Sequence, residues 1–89
     1  MGYAPMNCAA VRPTVEVRLF GPFRQHLRGR KALSIQADTI RDILNAIGLD
    51  RGEVGLVLVN KLPVEFVWMT NHRLVNGDLV EIYPIVTGG

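Results

Sequence analysis

The sequence predicts an α+β protein with a β-grasp fold, in which a mixed sheet of four or five strands has one main helix packed on one face. Two observations lead to this prediction. Strand patterns stand on both sides of one well-marked helix, and that helix has a single apolar stripe that one face of a sheet must cover. With 89 residues, the chain has room for one domain with one core.

Two strand patterns precede the helix. The segment TVEVRLF (14–20) alternates apolar residues with other residues at the period of a half-buried strand, and KALSIQA (31–37) has Leu33 and Ile35 at a spacing of two. Between them, GPFRQHLRGR (21–30) contains glycine and proline and is typical of a loop with one short helical turn. We therefore expect two adjacent antiparallel strands.

The helix is the best-marked element of the sequence. Its apolar residues follow the spacing i, i+3, i+4 and i+7 and lie on one face: Ile40, Ile43, Leu44 and Ile47. Thr39 and Asp42 have the spacing of a capping box at its start, and Gly48 suits the left-handed position just after its end. The helix is therefore predicted to begin next to Thr39 and to end before Gly48.

Strand patterns also follow the helix. EVGLVLVN (53–60) is a nearly continuous apolar run, which is typical of a strand inside a sheet. KLPVEF (61–66) is expected to form a turn followed by a short strand. NGD (76–78) is a tight-turn signal, and the alternating segment LVEIYPIV (79–86) after it predicts the last strand.

The alternation within the strands predicts an apolar face that the helix does not cover. The alternation assigns seven strand residues to the helix side: Val15, Val17, Leu19, Val57, Val59, Val80 and Ile82. Four large side chains then face the opposite way: Phe20, Leu56, Leu58 and Tyr83. A contiguous apolar patch of this kind usually marks a partner surface. The alternatives are that the loop from Pro22 or the N-terminal leader folds over these residues, or that the register is displaced by one.

Composition and motifs exclude several function classes. The net charge is +2, and the basic segment RQHLRGRK (24–31) has no interleaved aromatic residues, which argues against a nucleic-acid partner. No apolar run is long enough to cross a bilayer and no secretory signal is present, so we expect no membrane partner and a cytoplasmic location. Cys8 has no second cysteine, and the two histidines have no metal-ligand spacing. No catalytic motif is present, so the chain is expected not to be an enzyme.

Residues 14–89 resemble the ubiquitin-like sulfur carriers of the MoaD/ThiS type, which serve molybdopterin and thiamine biosynthesis. The resemblance rests on the first strand VEVRLFG (15–21), the single helix, and the ending LVNGDLVEIYPIVTGG (74–89). It implies that the carboxylate of Gly89 is adenylated by a separate activating enzyme with ATP and Mg²⁺ and is then converted to a thiocarboxylate. The implied partners are this enzyme, an acceptor subunit or synthase, and a sulfur donor protein, with no stably bound cofactor.

The order of the predicted elements divides the chain. We expect a flexible leader over residues 1–13, a β-grasp domain over 14–84, and a flexible tail over 85–89. Gly88 and Gly89 have no Cβ atom, so an extended tail can enter a narrow channel and bring its backbone close to a nucleotide. Beside the four residues of the patch, the predicted partner-binding residues are those of the tail: Ile85, Val86 and Thr87.

The pathway and the class of function stay open from the sequence. Ile85 stands where molybdopterin carriers usually have a second proline, and Asn60-Lys61 stands where thiamine carriers often have Asn-Gly. One alternative is a ubiquitin-like modifier that is joined to a lysine of a target through Gly89. The other is a β-grasp interaction module without tail chemistry, which acts through the face of Phe20 and Tyr83.

Overall fold

A computed structural model describes residues 12–64 and 72–85, and five strands in this part of the chain form one mixed sheet. The strands are β1 (Thr14–Leu19), β2 (Leu33–Gln36), β3 (Val54–Val59), β4 (Leu62–Val64) and β5 (Leu79–Pro84), in the spatial order β2-β1-β5-β3-β4. The pair β1–β5 is parallel, and the pairs β1–β2, β3–β5 and β3–β4 are antiparallel. The predicted mixed sheet is confirmed, and β5 lies at its centre.

The main helix, α1 (Ile40–Ile47), has the ends that the sequence predicts. Thr39 Oγ1 accepts a hydrogen bond from the backbone N–H of Asp42, and Asp42 Oδ2 accepts from the backbone N–H groups of Asp38 and Thr39. Gly48 adopts the left-handed conformation with φ = 92° and its N–H donates to the carbonyl of Leu44, so the helix stops there.

Two 3₁₀ helices occupy connecting segments of the described chain, at Gly21–Leu27 and Arg51–Glu53. The first one buries Phe23 and Leu27 in the same cluster as the helix stripe. The loop that begins at Pro22 therefore directs its large apolar side chains into the core. In the described residues, no helix has the length and apolar composition that spanning a bilayer requires.

The core lies between α1 and one face of the sheet. Every strand residue predicted to face the helix is buried there: Val15, Val17, Leu19, Val57, Val59, Val80 and Ile82. Ile40, Ile43 and Leu44 of the helix complete the cluster, and Ile47 packs against it while half-buried. The predicted register is thus the observed one, and the alternative of a displacement by one residue is wrong.

Part of the predicted leader contacts the domain. Arg12 makes ion pairs with Asp38, at 3.1 Å, and with Asp42, at 2.6 Å, while the carbonyl of Pro13 accepts a hydrogen bond from Ala37. These contacts join the segment before β1 to the start of α1. The rest of the predicted leader, residues 1–11, lies outside the described residues, as do 65–71 and 86–89.

A candidate protein-docking face

Phe20 and Tyr83 form a ring stack on the sheet face opposite α1, which we call the open face. Their ring centroids are 4.3 Å apart and their planes differ by 7°. The parallel register sets this contact, because Leu19 pairs with Ile82 and the backbone N–H of Phe20 donates to the Ile82 carbonyl at 3.1 Å. Phe20 and Tyr83, which follow this pair in their two segments, therefore point to the same face of the sheet.

Leu56 and Leu58 extend this apolar surface along β3. Leu56 pairs with Tyr83 and Leu58 pairs with Glu81 across the antiparallel ladder. Leu56 remains 41% exposed and Leu58 is half-buried, like both rings of the stack. Phe20, Tyr83, Leu56 and Leu58 therefore form one contiguous surface, the apolar patch, as the alternation predicts.

The chain leaves the sheet over a bulge in β3. The β3–β5 register shifts between Val54 and Leu56, which leaves Gly55 as the extra residue opposite Pro84. A Cβ atom on Gly55 would lie 2.7 Å from the Pro84 carbonyl oxygen and 2.9 Å from the Ile85 Cα atom. Only glycine allows the two backbones to approach this closely. The Ile85 N–H then donates to the Glu53 carbonyl at 3.1 Å, so the first residue of the predicted tail is held at the rim.

A buried carboxylate lies beside the apolar patch. Glu81 is 3% exposed although its neighbours in the register, Arg18 and Leu58, mark it as a residue of the open face. Its Oε2 atom is 3.1 Å from Lys61 Nζ, whereas its Oε1 atom is buried and has no hydrogen-bond partner among the described residues. Arg18 is engaged elsewhere, since its Nε donates to Glu16 Oε2 at 2.8 Å.

Lys61 reaches Glu81 from an unusual backbone position. The turn between β3 and β4 has φ = 52° at Asn60 and φ = 72° at Lys61, the left-handed region that favours glycine at both positions of such a turn. Asn60 is fixed by hydrogen bonds to the start of β5, donating to Asp78 Oδ1 and accepting from the Leu79 N–H, both at 2.9 Å. From this strained position Lys61 places Nζ on the buried Glu81 carboxylate, while 66% of its side chain remains exposed.

The structure brings most of the predicted site residues together. Phe20, Leu56, Leu58 and Tyr83 share the open face, and Ile85, 49% exposed, follows at its rim. The predicted residues Val86, Thr87, Gly88 and Gly89 lie outside the described residues. Within the described part of the chain, no group of three or more His, Cys, Asp or Glu side chains could hold a metal ion.

The sequence interpretation missed three residues of this face: Gly55, Lys61 and Glu81. Gly55 carried a signal, because a lone glycine inside a strand pattern often marks a bulge. Lys61 also carried one, since it stands where Asn-Gly would be expected. Glu81 carried none, because strand alternation assigns it to the open face but does not distinguish a buried carboxylate from a solvated one.

Comparison with known proteins gives one family match and several structural matches. A family model described as Mut7-C ubiquitin matches residues 6–88. The small archaeal modifier protein 1 of Methanosarcina acetivorans superimposes with a TM-score of 0.70 at 19% identity, over 86% of this chain and 97% of that one. A putative molybdopterin-converting factor subunit 1 from Pyrococcus furiosus gives a TM-score of 0.62 at 25% identity, over 83% and 99%.

A third similar structure is a complex. The complex of subunits 1 and 2 of the molybdopterin-converting factor from Helicobacter pylori gives a TM-score of 0.57 at 23% identity, over 85% of this chain and 99% of that one. None of the curated proteins compared with the chain matches it. The structural matches identify a β-grasp, ubiquitin-like fold.

Proposed function

The chain belongs to the Mut7-C ubiquitin family, and from this premise we propose that it is a cytoplasmic sulfur carrier of the MoaD type. When Gly89 is the last residue, its carboxylate is adenylated by a separate enzyme and converted to a thiocarboxylate. The thiocarboxylate then donates sulfur in the biosynthesis of molybdopterin or thiamine. In this proposal the chain is a carrier and not an enzyme, and the activating partner uses ATP and Mg²⁺.

The chemistry explains why such a carrier needs a partner. A carboxylate is a poor acyl donor, because its leaving group would be oxide. Attack of the carboxylate on the α-phosphorus of ATP releases pyrophosphate and forms an acyl adenylate, from which AMP leaves readily. Sulfide can then displace AMP at the acyl carbon and gives the thiocarboxylate directly. The outer sulfur of a donor-protein persulfide can also displace AMP, and a thiol then cleaves the resulting acyl disulfide, which releases the thiocarboxylate and leaves a disulfide on the donor. The partner supplies the nucleotide site and the electrostatic stabilisation, and the carrier supplies a reachable carboxylate.

The observation that carries the proposal is that one strand serves both the docking face and the tail. Tyr83 of β5 stacks on Phe20 at the centre of the apolar patch, and Ile85, two residues later, is bonded to the sheet rim. From this anchor, residues 86–89 can extend by at most about 13–14 Å. A partner that binds the open face thus receives the carboxylate within a defined radius of its own surface.

Two partners are proposed for the open face. The first is an adenylating enzyme of the ubiquitin-activating type. The second is an acceptor subunit or synthase, and the structural match to subunits 1 and 2 of the molybdopterin-converting factor from Helicobacter pylori supports it. Both would use the apolar patch, so their binding would be mutually exclusive.

Intact-mass spectrometry tests the proposal. The chain, ending at Gly89, is incubated with the adenylating enzyme of the same organism, ATP, Mg²⁺ and a sulfur donor. We expect a mass gain that corresponds to one oxygen replaced by sulfur at Gly89. A chain that stays unmodified would contradict the proposal, as would equal reaction of a variant that lacks Gly89.

The variants of the tail sharpen this test. Deletion of Gly89 withdraws the carboxylate by about 3.3–3.6 Å, and a misplacement of about 1 Å can lower a rate by about 100-fold. Gly88→Val should act similarly by widening the tail. If Gly89 instead becomes joined to lysines of other proteins in a cell extract, the modifier function is favoured over sulfur transfer. The fold that the chain shares with the small archaeal modifier protein 1 makes this the second candidate.

A further inference from the structure

One oxygen of Glu81 is the feature of the open face that the described part of the chain leaves unexplained. Within residues 12–64 and 72–85, Oε1 is buried without a hydrogen-bond partner, although Oε2 has Lys61 Nζ at 3.1 Å. A buried acceptor without a donor is unfavourable, and more so when it belongs to a charged group. A leucine of similar size at this position would avoid the penalty and would fit among the apolar residues of the patch.

The chain contains nearby cations, but they do not supply the missing donor. Arg18 is the β1 residue paired with Glu81, yet its Nε donates to Glu16. Lys61 is bonded to the other carboxylate oxygen. The Arg18–Glu16 pair is exposed on both sides and contributes little to stability. Lys61, in contrast, pairs with a carboxylate that is only 4% exposed, so this pair is costly to break. Arg18, the residue paired with Glu81 on β1, can therefore change its side-chain conformation at low cost when a partner arrives, while Lys61 stays on Oε2.

We propose that the docking partner places one cationic side chain, an arginine or a lysine, against Glu81 Oε1 beside the apolar patch. This inference rests on the proposed function, since it assigns a chemistry to the partner that the open face receives. The surface of the partner is then apolar where it covers Phe20, Tyr83, Leu56 and Leu58. It carries one positive charge, at the position that faces Glu81 between Arg18 and Leu58. An apolar contact alone would leave the buried carboxylate oxygen unsatisfied in the complex as well.

The occupant is a protein side chain for two reasons. The carboxylate lies directly beside an apolar patch that a protein interface would cover, so the charge and the apolar contact are part of one surface. A metal ion would need further oxygen ligands around it, and the residues next to Glu81 in the register are Arg18 and Leu58, which offer none. A guanidinium or ammonium group needs only the one free acceptor.

The test is a calorimetric titration of the full chain with the adenylating enzyme of the same organism. Glu81→Gln and Glu81→Leu should each weaken binding by about 10- to 100-fold, the value of a hydrogen bond to a charged group. Glu16→Gln is the matched control, because it removes the same charge from an exposed residue of the same face. It should change affinity by no more than about threefold.

Melting of the isolated chain separates this role from a structural one. Because Glu81→Leu removes a buried unsatisfied acceptor, we expect Tm to rise by about 4–8 °C while partner binding falls. A lowered Tm together with unchanged affinity would mean that Glu81 is structural and would overturn the inference.

Three further outcomes would each overturn the inference. If both Glu81 variants bind as tightly as the wild type while Phe20→Asp abolishes binding, the cation inference fails and the docking function stands. If the effect of Glu81→Gln disappears in an Arg18→Gln background, the cation is Arg18 of this chain and the inference also fails. If the wild-type chain does not bind the enzyme at all, the inference and the proposed function fall together.

Discussion

The ring of Phe20 lies parallel to the ring of Tyr83, with centroids 4.3 Å apart, although the two residues are separated by most of the domain in sequence. The stack is half-buried on a face that the helix does not cover. It holds two large rings at fixed positions before any partner binds, so little side-chain entropy remains to be lost on docking. This pre-organisation leads to the first prediction.

Phe20→Asp or Tyr83→Asp should weaken the complex with the adenylating enzyme by about 2–4 kcal/mol, because an unpaired charge would be buried at the interface. Leu62→Asp is a suitable control, since Leu62 is 69% exposed and pairs with Val59, which places it on the other side of the sheet. Titration measures the affinities, and circular dichroism verifies the fold. Equal weakening by the control substitution would contradict the assignment of the open face.

Gly55→Ala should displace the start of the tail. The new Cβ atom would meet the Pro84 carbonyl oxygen at 2.7 Å, so the end of β5 must shift. We expect a loss of about 1–3 kcal/mol in unfolding free energy. We also expect adenylation of Gly89 to fall by about 100-fold, mainly in kcat, because the carboxylate is moved out of position.

The control for this substitution is Gly52→Ala in the neighbouring 3₁₀ helix. Its Cβ atom would meet only the end of the Asp50 side chain, at 3.2 Å. Single-turnover adenylation and chemical denaturation of both variants give the comparison. A Gly55→Ala chain that reacts at the wild-type rate would show that the bulge does not position the tail.

Lys61→Gly should have opposite effects in two backgrounds. In the wild type it removes the cation from buried Glu81, and we expect a net loss of about 1–2 kcal/mol in stability, because the lost pairing exceeds the relieved backbone strain. In a Glu81→Leu background Lys61 has no carboxylate to pair with, so Lys61→Gly only relieves backbone strain. The substitution should then stabilise the chain by about 0.5–1 kcal/mol. Urea denaturation of the four chains measures both effects. The same sign in both backgrounds would refute the coupling of Lys61 to Glu81.

Asp42 should make stability depend on pH in the acid range. Partial burial alone would raise the pKa of Asp42, but hydrogen bonds from the backbone N–H groups of Asp38 and Thr39 and the nearby Arg12 guanidinium outweigh it and lower the pKa below 3.8. Because the pKa of Asp42 is lower in the folded chain than in the unfolded chain, its ionised carboxylate stabilises the fold. This stabilisation is fully present above the unfolded-state pKa and is lost as the pH falls through the folded-state pKa.

Denaturation between about pH 2 and pH 6 checks this dependence. Asp42→Asn should be less stable than the wild type by about 1 kcal/mol near neutral pH, as for the loss of a capping interaction, and the difference should shrink below pH 4. A difference that grows toward acid pH would reverse the sign and contradict the assignment. Arg41→Ala, at an exposed position of the same helix, serves as the control.

The helix and the inward strand faces were predictable because their signals are local. Thr39, Asp42 and Gly48 lie within ten residues of one another, and the stripe of Ile40, Ile43 and Leu44 repeats at the helical period. The apolar patch followed from the same alternation, because a buried residue on one face places its neighbours on the other.

Other features of the face depend on contacts between distant segments. The ion pair of Glu81 joins it to Lys61, twenty residues earlier in the chain, and its place on the open face follows from the register of β5 with two other strands. The bulge at Gly55 exists only in relation to Pro84. No local pattern encodes these pairings, so the electrostatic part of the docking face required the tertiary structure.

The parallel pairing of β1 with β5 places residues 16–19 against residues 79–82, and so joins the first and last strands of the described chain. During synthesis on the ribosome, the central strand of the sheet is missing until residue 84 has been made. Neither the ring stack nor the Glu81 site can exist on a nascent chain or on a fragment that stops before β5. A partner that binds the open face therefore cannot recognise a chain that stops before β5, and its binding reports that the sheet is complete.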